Sequence, residues 1–182
     1  MMVKDGKGRG TSAGVNKRNQ LEILSFAHNG AVDYNVNGRS FATYVEVTPG
    51  GAGQEFLYLG NTGSVDIRLH QIRGSAASAE TVNVYVGATS TVSGGTAGTP
   101  RGLNRGRVTA AEVDYQTGTN ITSTDSNAVQ LGTLGLTTAL KVDTFEFPTE
   151  IILSPGTALI LNVVTGSVAI KVTTVWSMEY AD

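Results

Sequence analysis

Residues 168–180 read VAIKVTTVWSMEY. Val168, Ile170, Val172, Thr174, Trp176, Met178 and Tyr180 occupy alternate positions, with Lys171, Thr173, Ser177 and Glu179 among the residues between them. Successive side chains of a strand point to opposite faces, so this period of two predicts a long β-strand with one face in a core and the other toward solvent. Immediately upstream, residues 158–164 (ALILNVV) are apolar on both faces apart from Asn162, which predicts a central strand covered on both sides.

The same pattern recurs toward the N-terminus. In residues 80–87, Val82, Val84 and Val86 form one face while Asn83 and Tyr85 face away. In residues 64–73, Val65, Ile67 and Leu69 alternate with Asp66, Arg68 and His70, and then Ile72 falls out of phase, which predicts a bulge or the end of the strand. Asn37-Gly38 is a strong signal for a two-residue hairpin turn, because both central positions of a type I′ turn need positive φ. A turn there would set Tyr34 opposite Phe41 and Val32 opposite Thr43. Pro49-Gly50, Asn61 to Gly63 and Pro155-Gly156 mark further reversals. Residues 87–106, rich in Gly, Thr and Ser, read as one long loop. Thr109-x-x-Glu112 fits a helix capping box, yet strand signals surround it, so residues 111–115 read as a strand, with one short helical turn as the alternative. About ten strands in one domain predict an all-β, two-sheet sandwich or a barrel.

Composition narrows the classes. Charged residues make up 15% of the 182 positions, well below the roughly 25% of ordinary domains, while 23 glycines supply turns. A hydrophobic share of 40% argues against wholesale disorder. No apolar run approaches the 18 or so residues of a membrane helix, and no signal-peptide core follows the first charges, so synthesis in a cytoplasm and no membrane partner are expected. Net charge is −2, but residues 1–18 hold Lys4, Lys7, Arg9, Lys17 and Arg18 against Asp5 alone, so the start carries +4 and the remainder −6. Residues 1–20 therefore read as an extended basic arm and 21–182 as a single β domain. Such an arm suits an interaction tail, a solvated terminus being the plainer alternative.

Little in the chain looks like reaction chemistry. The absence of cysteine excludes disulfides, thiolate–metal sites and thiol nucleophiles. Gly6, Gly8 and Gly10 lack the preceding strand and following helix of a phosphate loop. His28 and His70 are the only histidines, too few for a histidine metal site, and both read as ordinary surface residues. There is no G-x-S-x-G elbow for a serine triad. Glu46, Asp66 and Glu146 alternate outward and form no evident pair. Asp114, Asn120, Asp125 and Asn127 read as turn formers, with a calcium loop as the alternative. Asn120-Ile121-Thr122 is a chance glycosylation triplet in a chain without secretion. The remaining cluster is Arg101, Arg105 and Arg107, at the exit of the long loop. Without interleaved aromatics this stretch suits an acidic protein partner better than nucleic acid, or else a solvated loop.

Several stretches resemble jelly-roll decoration or cement proteins from the heads of tailed bacteriophages. They are FLYLGNTGSVDIRLHQIRGSAAS (56–78), VNVYVG (82–87), GTPRGLNRG (98–106) and EIILSPGTALILNV (150–163). The N-terminal VKDGKGRGTSAGVNKRNQLEILS (3–25) is similar to the arm that precedes such domains. The resemblance implies a jelly-roll-like sandwich in a homotrimer on the virion surface, bridging copies of the major capsid protein, with no cofactor, metal or catalytic residue. The capsid-facing residues would be Lys4, Lys7, Arg9, Lys17, Arg18, Arg101, Arg105 and Arg107. Related folds occur in head fibres and baseplates.

A carbohydrate-binding β-sandwich is the alternative. It would need an exposed aromatic platform. Trp176 alternates onto the core face, which leaves Tyr44 and Tyr85 as the outward candidates.

Overall fold

A computed structural model describes residues 2–4, 12–15, 21–24, 38–104, 106, 111–123, 127–137, 141–145, 147 and 150–179. The chain divides into two compact units, residues 1–33 and 34–182.

In the first unit, β1 (Met2–Lys4), β2 (Ser12–Val15) and β3 (Leu21–Leu24) form an antiparallel sheet in that order. Residue 21, the expected start of the β domain, opens β3. In the structure, Leu21–Leu24 pairs with Ser12–Val15.

The second unit is all-β among its described residues and contains two sheets. The first runs β10 (Arg101–Gly102), β4 (Ser40–Val47), β16 (Ile170–Glu179), β6 (Asp66–Ala76), β13 (Asp143–Phe145), with β14 (Ile151–Leu153) also on β6. The second runs β12 (Val129–Leu136), β7 (Glu80–Ala88), β15 (Thr157–Val163), β5 (Glu55–Asn61), β11 (Val113–Ser123), β8 (Val92–Ser93), with β9 (Thr96–Ala97) also on β11. Every pairing is antiparallel, and one set is nested: β4 with β16, β5 with β15, β6 with β13 and β14, β7 with β12. The first half of the body thus lies along its second half and rolls into two sheets. This is a jelly-roll-like sandwich.

Hydrophobic alternation sets which face is inside. Ile170, Val172, Thr174, Trp176 and Met178 of β16 are buried, as their spacing predicts. Trp176 stacks on Phe41, its cross-strand partner in β4, with ring centroids 4.6 Å apart. Its Nε1–H is the one buried side-chain polar atom without a hydrogen-bond partner among the described residues. Strand β15 runs between β7 and β5, and all its residues but Thr157 and Asn162 are buried. Its inner side chains join the main core. Ala158 and Ile160 on its other face form a smaller core with Tyr58 and Ile121.

The irregularity anticipated near Ile72 is a bulge. Trp176 pairs with Leu69 and Val175 with Gln71, so His70 is the extra residue of β6. The bulge shifts the phase, and Ile67, Leu69, Ile72 and Ala76 all reach the core.

Turn chemistry locates the reversals. Thr157 N–H donates to Ser154 O at 2.9 Å around Pro155-Gly156, where Gly156 has φ +83°, as a type II turn requires. Gly38 has φ +73°. Both edges of β4 at Phe41 and Ala42 are taken, by β10 and β16. The partners Val32 and Tyr34 expected for that hairpin lie outside the described residues. Within residues 87–106, three two-residue strands fasten the loop to β11 and then to β4, so it crosses from the second sheet to the first. Residues 113–115 are strand, and the pairing with β5 slips between Thr117 and Ile121.

Candidate functional site

Of the basic residues expected to face a partner, Lys4 is the last residue of β1, and Arg101 opens β10 opposite Ala42 with its side chain exposed. Lys7, Arg9, Lys17, Arg18, Arg105 and Arg107 lie outside the described residues, as do His28, Asp125 and Glu146.

The solvent-facing side of the first sheet carries a cluster of polar groups. Cross-strand register places Tyr44 beside Thr173, and Thr173 beside Arg73; one step along, Glu46 lies beside Lys171, and Lys171 beside Ser75. Val142 closes one side. Tyr44, Arg73, Ser75, Val142, Lys171 and Thr173 line an open hollow of about 420 Å³, and Glu46 lies beside it. Glu46 ties two of the lining residues together. The Tyr44 hydroxyl donates to Glu46 Oε2 at 2.8 Å, and Lys171 Nζ lies 3.0 Å from Oε1. The Tyr44 and Lys171 bonds hold the Glu46 carboxyl below its ordinary pKa. The bond to Glu46 in turn raises both the Tyr44 phenol and the Lys171 ammonium. Arg73 is exposed and has no hydrogen-bond or ion-pair partner among the described residues. The groove therefore carries a fixed ring and one uncompensated guanidinium.

Further along the same face, Arg68 bridges Glu150 and Glu179. Beside it, His70 Nε2 lies 2.7 Å from Ser177 Oγ. Two sequence expectations fail here. Ser177 does not face solvent but is fully buried, and His70 is half-buried, because the bulge sets the imidazole against Ser177 of β16. A serine hydroxyl with no accessible surface is closed to a substrate, so the pair is structural.

Buried carboxylates elsewhere also serve the fold. Glu80, 4% exposed, accepts from the backbone N–H groups of Thr81 (2.8 Å), Thr165 (3.0 Å) and Gly166 (2.8 Å). Glu55 accepts from Ser123 N–H and Oγ at 2.8 and 2.9 Å, beside a second polar hollow of about 320 Å³. Asp114 and Asn120 bond to Gln116 and Gln54 respectively. Among the described residues, no group of three His, Asp or Glu side chains could hold a metal ion.

For a sugar platform, Trp176 is in the core, as its alternation predicts, and Tyr85 is half-buried against the smaller core. Tyr44 is 55% exposed. The sequence identifies Tyr44 as outward. It does not identify Arg73 and Lys171 as its neighbours, because they come from strands β6 and β16, distant in the chain.

Comparison of the chain with protein-family models, with curated proteins and with solved structures finds no match.

Proposed function

We propose that this chain is a non-enzymatic structural protein of a phage virion, a decoration protein that binds the outer capsid surface and bridges neighbouring subunits. The observation that carries the reading is the pairing of a separate N-terminal unit with a jelly-roll-like sandwich, the arrangement implied by the resemblance of residues 3–25, 56–78, 82–87, 98–106 and 150–163. Charge supports it: +4 over residues 1–18 against −6 for the rest lets the first unit dock on an acidic neighbour. Glu80 and Glu55 are held by backbone N–H groups and by the Ser123 hydroxyl, and Arg68 by Glu150 and Glu179, which suits a rigid body more than a reaction centre. Each copy would contribute binding free energy that opposes separation of capsid subunits. The partner is the major capsid protein, and the working form a homotrimer.

Co-sedimentation with capsids stripped of the protein tests this directly. The native chain should pellet with capsids at low salt and progressively less as ionic strength rises, since exposed charge contacts are screened. A chain with Lys4, Lys7, Arg9, Lys17 and Arg18 each changed to Glu should stay in the supernatant. Equal pelleting of the two chains would remove the docking role from the arm.

A further inference from the structure

We propose that the groove between Tyr44 and Arg73 is a binding site for an acidic carbohydrate, with a pyranose ring on the Tyr44 face and its carboxylate on the Arg73 guanidinium. This does not depend on the virion reading. It rests on three features of the outer face.

The first is the unused cation. Lys171 and the Tyr44 hydroxyl occupy the two oxygens of Glu46, so this neighbouring carboxylate is already engaged. Arg73 is left without a partner among the described residues. A guanidinium presents a planar fork that matches a carboxylate in two hydrogen bonds. Arg73 and Lys171 line the groove and Glu46 beside it offsets one of them, which leaves +1 locally, whereas residues 34–182 hold 8 Lys and Arg against 12 Asp and Glu, a net −4, so the groove is a local attractor for an anion.

The second is the ring. Tyr44 is 55% exposed on the solvent side of the sheet, where it contributes nothing to the core, and its bond to Glu46 fixes its orientation. A held, open aromatic face suits the C–H face of a sugar, which is apolar while its rim is polar. Tyr44 and Arg73 flank Thr173 on adjacent strands, so their backbones are about 10 Å apart, two strand spacings. One pyranose with its carboxylate spans that gap.

The third is the lining between them. Thr173 and Ser75 supply hydroxyls that can donate to and accept from sugar hydroxyls, and Val142, 61% exposed, gives an apolar wall. The hollow of about 420 Å³ lies within the size range of small-ligand sites and is open, so a glycan chain can pass through it. An acidic peptide side chain would use Arg73 and leave the ring idle. That difference separates the two ligands.

The test is calorimetric titration of the full-length protein with tetragalacturonate and with 3′-sialyllactose, against maltotetraose, tetraglutamate and inorganic phosphate. At least one acidic oligosaccharide should bind, and maltotetraose should bind at least about tenfold more weakly. Tyr44→Ala and Arg73→Gln should each weaken the acidic sugar about tenfold or more without changing the melting temperature. Tyr44→Phe keeps the ring and should retain binding within about threefold. The proposal is overturned if neither acidic sugar binds, if maltotetraose binds equally, or if either variant binds like the native chain. Tetraglutamate or phosphate binding as tightly as the sugars, and insensitive to Tyr44→Ala, would make this a general anion site and likewise overturn it.

Discussion

Glu80 sends its carboxylate into the turn between β15 and β16, where the backbone N–H groups of Thr165 and Gly166 donate to it, as does that of its neighbour Thr81 in β7. A carboxylate is an acceptor at every lone pair. An amide in its place turns NH₂ toward an N–H, leaving a buried donor unmet. Glu80→Gln should therefore lower unfolding stability by about 2 kcal/mol in urea melts, although the volume is unchanged. Glu80 was not identifiable from the sequence, because two of its three partners lie 85 and 86 residues further along. His70 gives a pH prediction. Burial, with help from Arg68 and against the pull of Glu150, lowers its pKa below 6.5. Its neutral form is thus favoured in the fold, and the stability it adds is present above the unfolded pKa and lost as pH falls through the folded one. The melting temperature of the native chain should drop more between pH 7 and pH 5 than that of His70→Gln. Parallel pH profiles would contradict this.

At the scale of elements, alternation makes the long strands legible: Ile67 and Leu69, Val82 and Val84, and Ile170 to Met178 in steps of two are buried, Val65, Val86 and Val168 are partly buried against the same core, and Tyr180 lies outside the described residues. It was blind to β8, β9 and β10, since two residues have no period, and to Ser177, which its alternation placed in solvent. Those features depend on what packs above the strand. Strand β6 offers a test of register. Removing His70 leaves Leu69 inward, Gln71 outward and Ile72 inward, a regular strand against β16. Removing Arg73 instead turns Gly74 and Ala76 to the wrong face. The His70 deletion should still unfold in one cooperative transition by circular dichroism, and the Arg73 deletion should not. Strand β15 predicts the opposite kind of sensitivity. Leu161, covered on both flanks by β5 and β7 and fully buried, should cost about 3 kcal/mol or more when changed to Ala, through the cavity left behind.

For the whole molecule, the sandwich was legible because many short alternating runs separated by Gly and Pro can bury their apolar faces only against a second sheet. The nesting of β4 to β7 with β12 to β16 was not, since pairing partners leave no local mark; it came only through the resemblance. The candidate groove was half legible, Tyr44 from its outward phase and Arg73 from nothing but the register. Charge arithmetic drew attention to the N-terminal unit, and the proposed role joins that unit to the sandwich as tail and body. In solution, light scattering should give about three times the 18.9 kDa chain mass, and a monomer at all concentrations would contradict the trimer. The proposed role requires the chain to be part of a virion. Quantitative mass spectrometry of phage particles purified from the source that encodes it tests this most directly. The predicted result is the chain present in a fixed ratio to the major capsid protein and retained through density-gradient purification; its absence from purified particles would contradict the account.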